Sequence, residues 1–357
     1  MDGSDDDRFL WKYFLRQLII CSGAWTCYFI IGLFSGAPAV FIPQMRNETN
    51  NMEIIDEEMA SWIPSITCYV GVPWVVILPI IIRVYGRRIP FIIVSVNAFI
   101  GSLVFYFSET VIHIITSEVI QGVVAAAYLT LTIVIITEYT SPKYRGVFLT
   151  MKLASYYWGV WMANAIGTFF HWKYIALCGI VCSIYNIITL AAWTESPYWL
   201  ASRGFKERCI KSHRWLKGTS AEEEKELSRL IRYETIDPEI KDHCCGPAIM
   251  TGVLFGEIVP VKNRSLYLGT VGILHKIVSG TLLKLAPASF EKFGLHGAFL
   301  FFGLTTSVLL IVIYKYMPET KGKSLLEIDD CFQEVKKTEQ TNKTDNITDE
   351  TTEELLK

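Results

Sequence analysis

Charged residues recur at fixed places around apolar runs. Thr137 to Gly146 reads TEYTSPKYRG and Gly256 to Ser265 reads GEIVPVKNRS, so Glu138 and Arg145, and again Glu257 and Arg264, stand seven apart around a proline. Each unit is followed about 60 residues later by a second acidic stop, Glu195-Ser-Pro in the first copy and Pro318-Glu319-Thr in the second. Arg87 and Arg88 follow Gly86 in the same manner. Carboxylates and guanidiniums at the ends of greasy segments suit one kind of work, namely ion pairs that hold in one conformation and part in another. The bland alternative is that they anchor helix ends at the headgroups and set topology. Covalent chemistry finds no equivalent set: the chain has no Ser, His and Asp grouping, no His-Glu-x-x-His and no phosphate loop in a suitable context.

What must position these charges is a membrane bundle. Hydrophobic residues make up 51% of 357, and the mean hydropathy is +0.34, which suits several bilayer spans better than one water-soluble globule. A helix crosses about 30 Å of hydrocarbon with roughly 20 apolar residues. Gln17 to Phe41, Ala60 to Ile82, Ile89 to Phe107, Ser117 to Ile136, Val147 to Phe170 and Tyr174 to Trp193 each meet that length. A weaker stretch, Leu266 to Leu285, and a clear one, His296 to Tyr316, follow a polar segment. The apolar piece Ala248 to Phe255 is too short to cross alone. The count predicts eight spans and both termini cytoplasmic.

Loop charges set the orientation. Arg83, Arg87 and Arg88 follow the second span, Lys143 and Arg145 the fourth, and Arg203, Lys206, Arg208, Lys211, Arg214 and Lys217 the sixth, which makes those loops cytoplasmic. The first outer loop carries Glu48, Glu53, Asp56, Glu57 and Glu58 against Arg46. Asn47 there heads a glycosylation sequon that can be used, whereas those at Asn263, Asn342 and Asn346 face the cytoplasm. The acidic start, Met-Asp-Gly-Ser-Asp-Asp-Asp, is unlike a secretory signal, so the first helix is expected to stay.

A net charge of −2 gives no footprint for nucleic acid. The nine cysteines are scattered, mostly in apolar runs, and predict no disulfide framework. His243, Cys244 and Cys245 are adjacent in sequence and cannot converge on one ion as spaced zinc ligands do. No metal and no cofactor is expected.

The repeat implies two related halves, as in transporters built from parallel repeats. They are unequal: four spans precede Glu138, while only Ala248 to Phe255 and a charged linker precede Glu257. The expected organisation is residues 1–14 as a cytoplasmic N-terminus and 15–200 as a six-helix bundle. A linker with short helices takes 201–245, a partial second bundle 246–328, and a disordered cytoplasmic tail 329–357.

Gly86-Arg87-Arg88, Glu138 through Arg145-Gly146, Glu195-Ser-Pro-Tyr-Trp-Leu200 and Pro318-Glu-Thr-Lys-Gly-Lys323 resemble, in order and spacing, the signatures of the sugar porter branch of the major facilitator superfamily. Arg214-Trp-Leu-Lys-Gly218 looks like the cytoplasmic helical linker of insect facilitated trehalose and hexose transporters. The resemblance runs from Leu15 to Ile328 and lacks the seventh to ninth helices and part of the tenth. It implies an all-α membrane fold of the major facilitator type and alternating-access diffusion of a hexose or trehalose. It also implies a multi-pass protein of the plasma membrane whose partners are a small sugar and the lipid bilayer.

Carried over residue by residue, the resemblance makes Arg87, Arg88, Glu138, Arg145, Glu195, Glu257, Arg264 and Glu319 cytoplasmic gate residues. Ser35, Asn164 and Trp158 become candidates to line the substrate cavity. For Asn164 a bond between helices, and for Trp158 plain packing, are the competing readings. Three positions depart from the pattern: Arg83 stands where the family has an Asp, Glu118 where it has an Arg, and Leu153 where it has a sugar-binding Gln. The reading places Glu118 at the external end of its helix. It finds no mid-span carboxylate, which favours facilitated diffusion over proton coupling. Two alternatives stay open: a non-transporting truncated isoform or incomplete gene model of a sugar transporter, and a seven-helix receptor.

Overall fold

The computed structural model describes residues 3–47, 55–236 and 264–316. Helices account for nearly all of these, and no strand occurs among them. The predicted Ala248 to Phe255 piece, Glu257, Glu319 and the tail lie outside the described residues.

The first span is made of α1 (Gly3–Gly36) and α2 (Pro38–Asn47). They part at Ala37, where Pro38 lacks the N–H that would continue the ladder. α3 (Glu57–Tyr85) starts on Asp56, whose carboxylate accepts the Glu57 N–H at 2.8 Å, and stops at Gly86. α4 (Arg88–Tyr106) follows at once. The fourth span is again two pieces, α5 (Val111–Ala127) and α6 (Leu131–Tyr139). Tyr128, Leu129 and Thr130 lie between them, and the last two close tight i→i−3 bonds to Ala126 and Ala127. Pro142 opens α7 (Pro142–Phe169), and α8 (Lys173–Thr189) ends in a 3₁₀ turn, Leu190–Ala192. These segments coincide with the six apolar stretches read from the sequence. Four of them, Trp11–Arg46, Glu57–Tyr85, Arg88–Tyr106 and Val111–Tyr139, are long and apolar enough to cross a membrane by composition and length alone.

One boundary moves with consequence. α5 begins at Val111, six residues before the predicted Ser117, because Thr110 caps it and Val111 to Ile115 are apolar around His113. Glu118 is therefore more than a turn inside the helix, 3% exposed, and accepts a hydrogen bond from Thr67. The fourth span holds a buried carboxylate where the sequence reading saw none.

Glycine lets the core helices close. A Cβ on Gly32 of α1 would run into the Tyr156 carbonyl of α7, and one on Gly159 of α7 into the Phe29 carbonyl. Small residues bring helices this near in lipid, where dispersion rather than water exclusion drives association. At the end where α4 gives way to α5, Phe41, Phe105 and Trp172 pack ring against ring at 5.3 to 6.0 Å. Gln44 clamps the same end, donating to Gly167 and accepting from the Trp172 N–H.

Three short helices cross the end of the bundle where α3 meets α4: α9 (Pro197–Ser202), α10 (Lys206–Lys217) and α11 (Ala221–Ile236). Last comes α12 (Arg264–Tyr316), whose run is broken by a non-helical Gly294 at φ 65°, ψ 171°. Leu266 to Leu285 and His296 to Tyr316 fall on either side of it. The first part packs on α3, with Gly272 facing Val75 and Gly280 facing Cys68 and Tyr69.

Candidate functional site

Where α3 turns into α4, α6 ends and α9 begins, the structure gathers the charged residues named from the sequence. Gly86 takes φ +88°, a conformation side chains disfavour. That turn aims the next N–H outward, and Arg87 N donates to Glu195 Oε1 at 2.8 Å. Arg87's guanidinium grips Glu138 with two prongs, Nε to Oε2 at 2.8 Å and Nη2 to Oε1 at 2.6 Å. Both side chains are at most 5% exposed. Planar fork-to-fork contact of this kind is short, strong and specific to Arg.

Ser196 completes the knot. Its hydroxyl donates to Glu138 Oε2 at 2.5 Å and its N–H to Glu195 Oε1 at 3.0 Å, while it also caps α9. Arg88 donates to the Leu190 carbonyl at 3.2 Å. Arg145 is half-buried near Tyr198 and Lys217, and makes no ion pair with Glu138 among the described residues. Seven-residue spacing therefore marks two members of the region, yet Glu138's partner comes from the preceding loop. Arg264 begins α12, but its side chain, like that of Asn47 at the end of α2, lies outside the described residues.

A second layer, which the sequence did not signal, ties the linker to the bundle. Ser141 N–H donates to Gln17 Oε1 at 3.0 Å, and its hydroxyl donates to Glu223 of α11 at 2.9 Å. Arg16 donates to the Trp215 carbonyl at 2.5 Å and lies 4.5 Å above the Trp215 ring. Lys217 meets both Glu226 oxygens, at 2.8 and 2.9 Å, and Tyr198 donates to Glu226 at 2.6 Å. Burial alone would lift the Glu226 pKa. His213 facing it at 3.8 Å, the Lys217 ammonium and the Tyr198 hydroxyl outweigh that and hold it below the ordinary carboxylate range. Burial pushes the Lys217 pKa down despite its partner.

His213, Glu223 and Glu226 offer ligand-type atoms within 4.8 Å of one another. Lys217 already places a positive charge on both Glu226 oxygens, which opposes a dication there.

The cavity candidates lie on the exposed sides of α1 and α7. Ser35 and Asn164 are exposed, and Asn164 donates to its own Val160 carbonyl at 2.8 Å, neither bridging helices nor turned inward. Trp158 is 60% exposed and meets Trp161 edge to face at 5.5 Å, so it is not packed inside the bundle. Leu153 and Tyr157 share this open side of α7.

The family model described as "Sugar (and other) transporter" matches residues 18–234 and 243–332. The "Facilitated trehalose transporter Tret1-2 homolog" of Drosophila simulans is 24% identical over 236 residues, covering 66% of this chain and 48% of that protein. "Facilitated trehalose transporter Tret1" of Drosophila erecta is 25% identical over 225 residues, 63% and 26% of the two. The chain thus spans about half the length of the first and a quarter of the second. Among solved structures, the proton:xylose symporter XylE bound to 6-bromo-6-deoxy-D-glucose superposes with a TM-score of 0.67 at 12% identity, over 88% of this chain and 98% of that one. XylE from E. coli in an inward-open conformation gives 0.63 at 14%, over 89% and 99%. The likeness establishes the all-α major facilitator fold.

Proposed function

We propose, from the premise that this chain belongs to the sugar (and other) transporter family, that it carries a sugar of the hexose or trehalose class across the plasma membrane by alternating-access facilitated diffusion. The observation that carries the reading is the buried knot of Arg87, Glu138, Glu195 and Ser196 at one end of the bundle. Ion pairs that join a loop, a span end and a linker helix can hold that end shut in one state and open in another, so that solute binding shifts populations between the two. Orientation rests on the basic loops, with both termini and the knot on the cytoplasmic side and Asn47 outside.

Glu118 leaves room for a coupled proton, since ionisable groups inside a span commonly mark ion or proton paths. Uptake of labelled glucose and trehalose into proteoliposomes tests the function. Saturable flux that persists after the pH gradient is collapsed supports facilitation, and flux that needs the gradient transfers the reading to proton coupling.

A second reading is a chain that keeps the fold and carries nothing. It is favoured by the unequal halves of the sequence, where four apolar spans precede Glu138 and only the short Ala248 to Phe255 piece precedes Glu257. Absence of saturable flux for either sugar overturns the hexose or trehalose reading and favours this one.

A further inference from the structure

Two lysines are buried inside the bundle. Lys152 of α7 is 5% exposed and Lys276 of α12 is 3% exposed. Among the described residues neither lies within ion-pair distance of a carboxylate. Each ammonium stands on a tyrosine face instead, Lys152 Nζ 4.8 Å from the centre of Tyr28 and Lys276 Nζ 4.7 Å from that of Tyr128. The two rings meet edge to face at 5.7 Å, and His275 approaches Tyr128 at 6.4 Å. Tyr28 is fixed by its hydroxyl, which donates to the Tyr128 carbonyl at 2.7 Å.

Three of the four residues come from the middle of their spans, and Lys152 from the first half of its own. Tyr28 is halfway along the 36-residue stretch Trp11–Arg46, and Tyr128 is just past halfway along the 29-residue stretch Val111–Tyr139. At about 1.5 Å per residue, Lys152 is about 15 Å from the start of α7 and Lys276 about 18 Å from the start of α12. Tyr128 also opens the non-helical break between α5 and α6. Interrupted helices near the midplane are where carriers place their solute sites.

Cations at this depth call for a counter-charge. A ring face attracts an ammonium but does not neutralise it. The buried carboxylate of the fourth span approaches the same stretch of α3 as Lys276, which lies at Gly71, but Glu118 takes its Oε2 bond from Thr67 and is not within ion-pair distance of either lysine among the described residues. Two ammoniums offer six N–H donors and no acceptor. A neutral sugar hydroxyl needs to give a bond as well as take one, whereas a carboxylate only accepts.

We propose that the solute taken between α1, α5, α7 and α12 is an organic anion, a hexose-sized sugar acid. Its carboxylate engages Lys152 and Lys276 and its ring lies against Tyr28 and Tyr128. The inference rests on the carrier reading and narrows it to a charged member of the sugar class.

The test is equilibrium binding of labelled glucuronate, glucose, trehalose and glucose 6-phosphate to the full chain in nanodiscs. Glucuronate is expected to bind at least tenfold more tightly than glucose. Lys152→Gln and Lys276→Gln should each lose about tenfold for glucuronate and less than twofold for glucose, and Lys152→Arg and Lys276→Arg should recover most of the loss. Glucose or trehalose bound as well as glucuronate overturns the charge inference and leaves the carrier reading standing. A preference for the phosphate, or glucuronate binding indifferent to both lysines, overturns the assignment of a carboxylate to this pair. Binding of none of the four overturns both readings. Should the glutamine variants fail to fold, the selectivity of the unaltered chain decides alone.

Discussion

Arg87 and Glu138 form a two-pronged ion pair between the α3–α4 turn and the end of α6, with both side chains almost wholly withdrawn from solvent. Losing one partner strands the other as a buried charge, which costs about 3 to 5 kcal/mol, whereas losing both leaves no charge to strand. Glu138→Gln and Arg87→Met should each lower stability by about 3 kcal/mol. The double variant Arg87→Met/Glu138→Met should recover part of that loss. Thermal melting in one detergent gives the comparison, and a Glu138→Gln protein that melts with the parent would remove the knot from the structural argument.

The sequence carried this pair half-way. Glu138 stood out because the Glu-to-Arg spacing repeats at Glu257, and Arg87 because two arginines follow a glycine. Spacing suggested Arg145 as a companion, but the guanidinium that reaches Glu138 comes from 51 residues upstream. Such a pairing is set by which helix ends meet. Spans were legible because lipid demands length and apolarity, which are local properties. Lys152 was not, since it sits one residue from the Leu153 that drew notice and faces inward where Leu153 faces out. Lys276 falls in the weak stretch Leu266 to Leu285, and only the packing of α12 on α3 gives it a buried place near Gly71.

Gly86→Ala should disturb the knot without touching a charge. A Cβ there would stand 2.6 Å from Glu195 Oε2 on a backbone at φ +88°, so Glu195 must leave the Arg87 N–H or the turn must bend. A residue forced into such a conformation costs about 1 to 3 kcal/mol. The visible result is expected in the linker, as faster trypsin cleavage among Arg203, Lys206 and Arg208. An unchanged cleavage rate would mean the Glu195 contact does not seat α9.

Linker docking should weaken in acid. Glu226 is held below the ordinary carboxylate range in the folded chain, so its contribution is complete above the unfolded value of about 4.3 and fades as pH falls from there toward the folded value. Hydrogen exchange of α10 and α11 should therefore be flat from about pH 7 to 5 once corrected for intrinsic rates. It should rise below that, and Glu226→Gln should raise exchange at pH 7 and flatten the slope. A parent chain whose corrected exchange is level down to pH 3 contradicts the assignment.

The seam between α1 and α7 should be the least forgiving place in the bundle. At Gly159 the obstacles to a Cβ are the Phe29 carbonyl and the Leu33 amide nitrogen, the latter at 2.8 Å. Both are backbone, so the clash is relieved only by moving the helices apart. Separation would strip packing from Gly32 and Gly36 as well, because the same contact line runs through all three. Gly146, on the same helix, has nothing within 4 Å of its Cβ position. Ala there should stabilise by about 0.5 to 1 kcal/mol, the usual gain from replacing a helical glycine. Gly159→Ala should cost upwards of about 2 kcal/mol, a size expected of overpacking in a tight core. Melting temperatures of the two variants against the parent make the comparison within one helix. Equal effects at Gly146 and Gly159 would show that composition, and not the close approach of α1, governs the stability of α7.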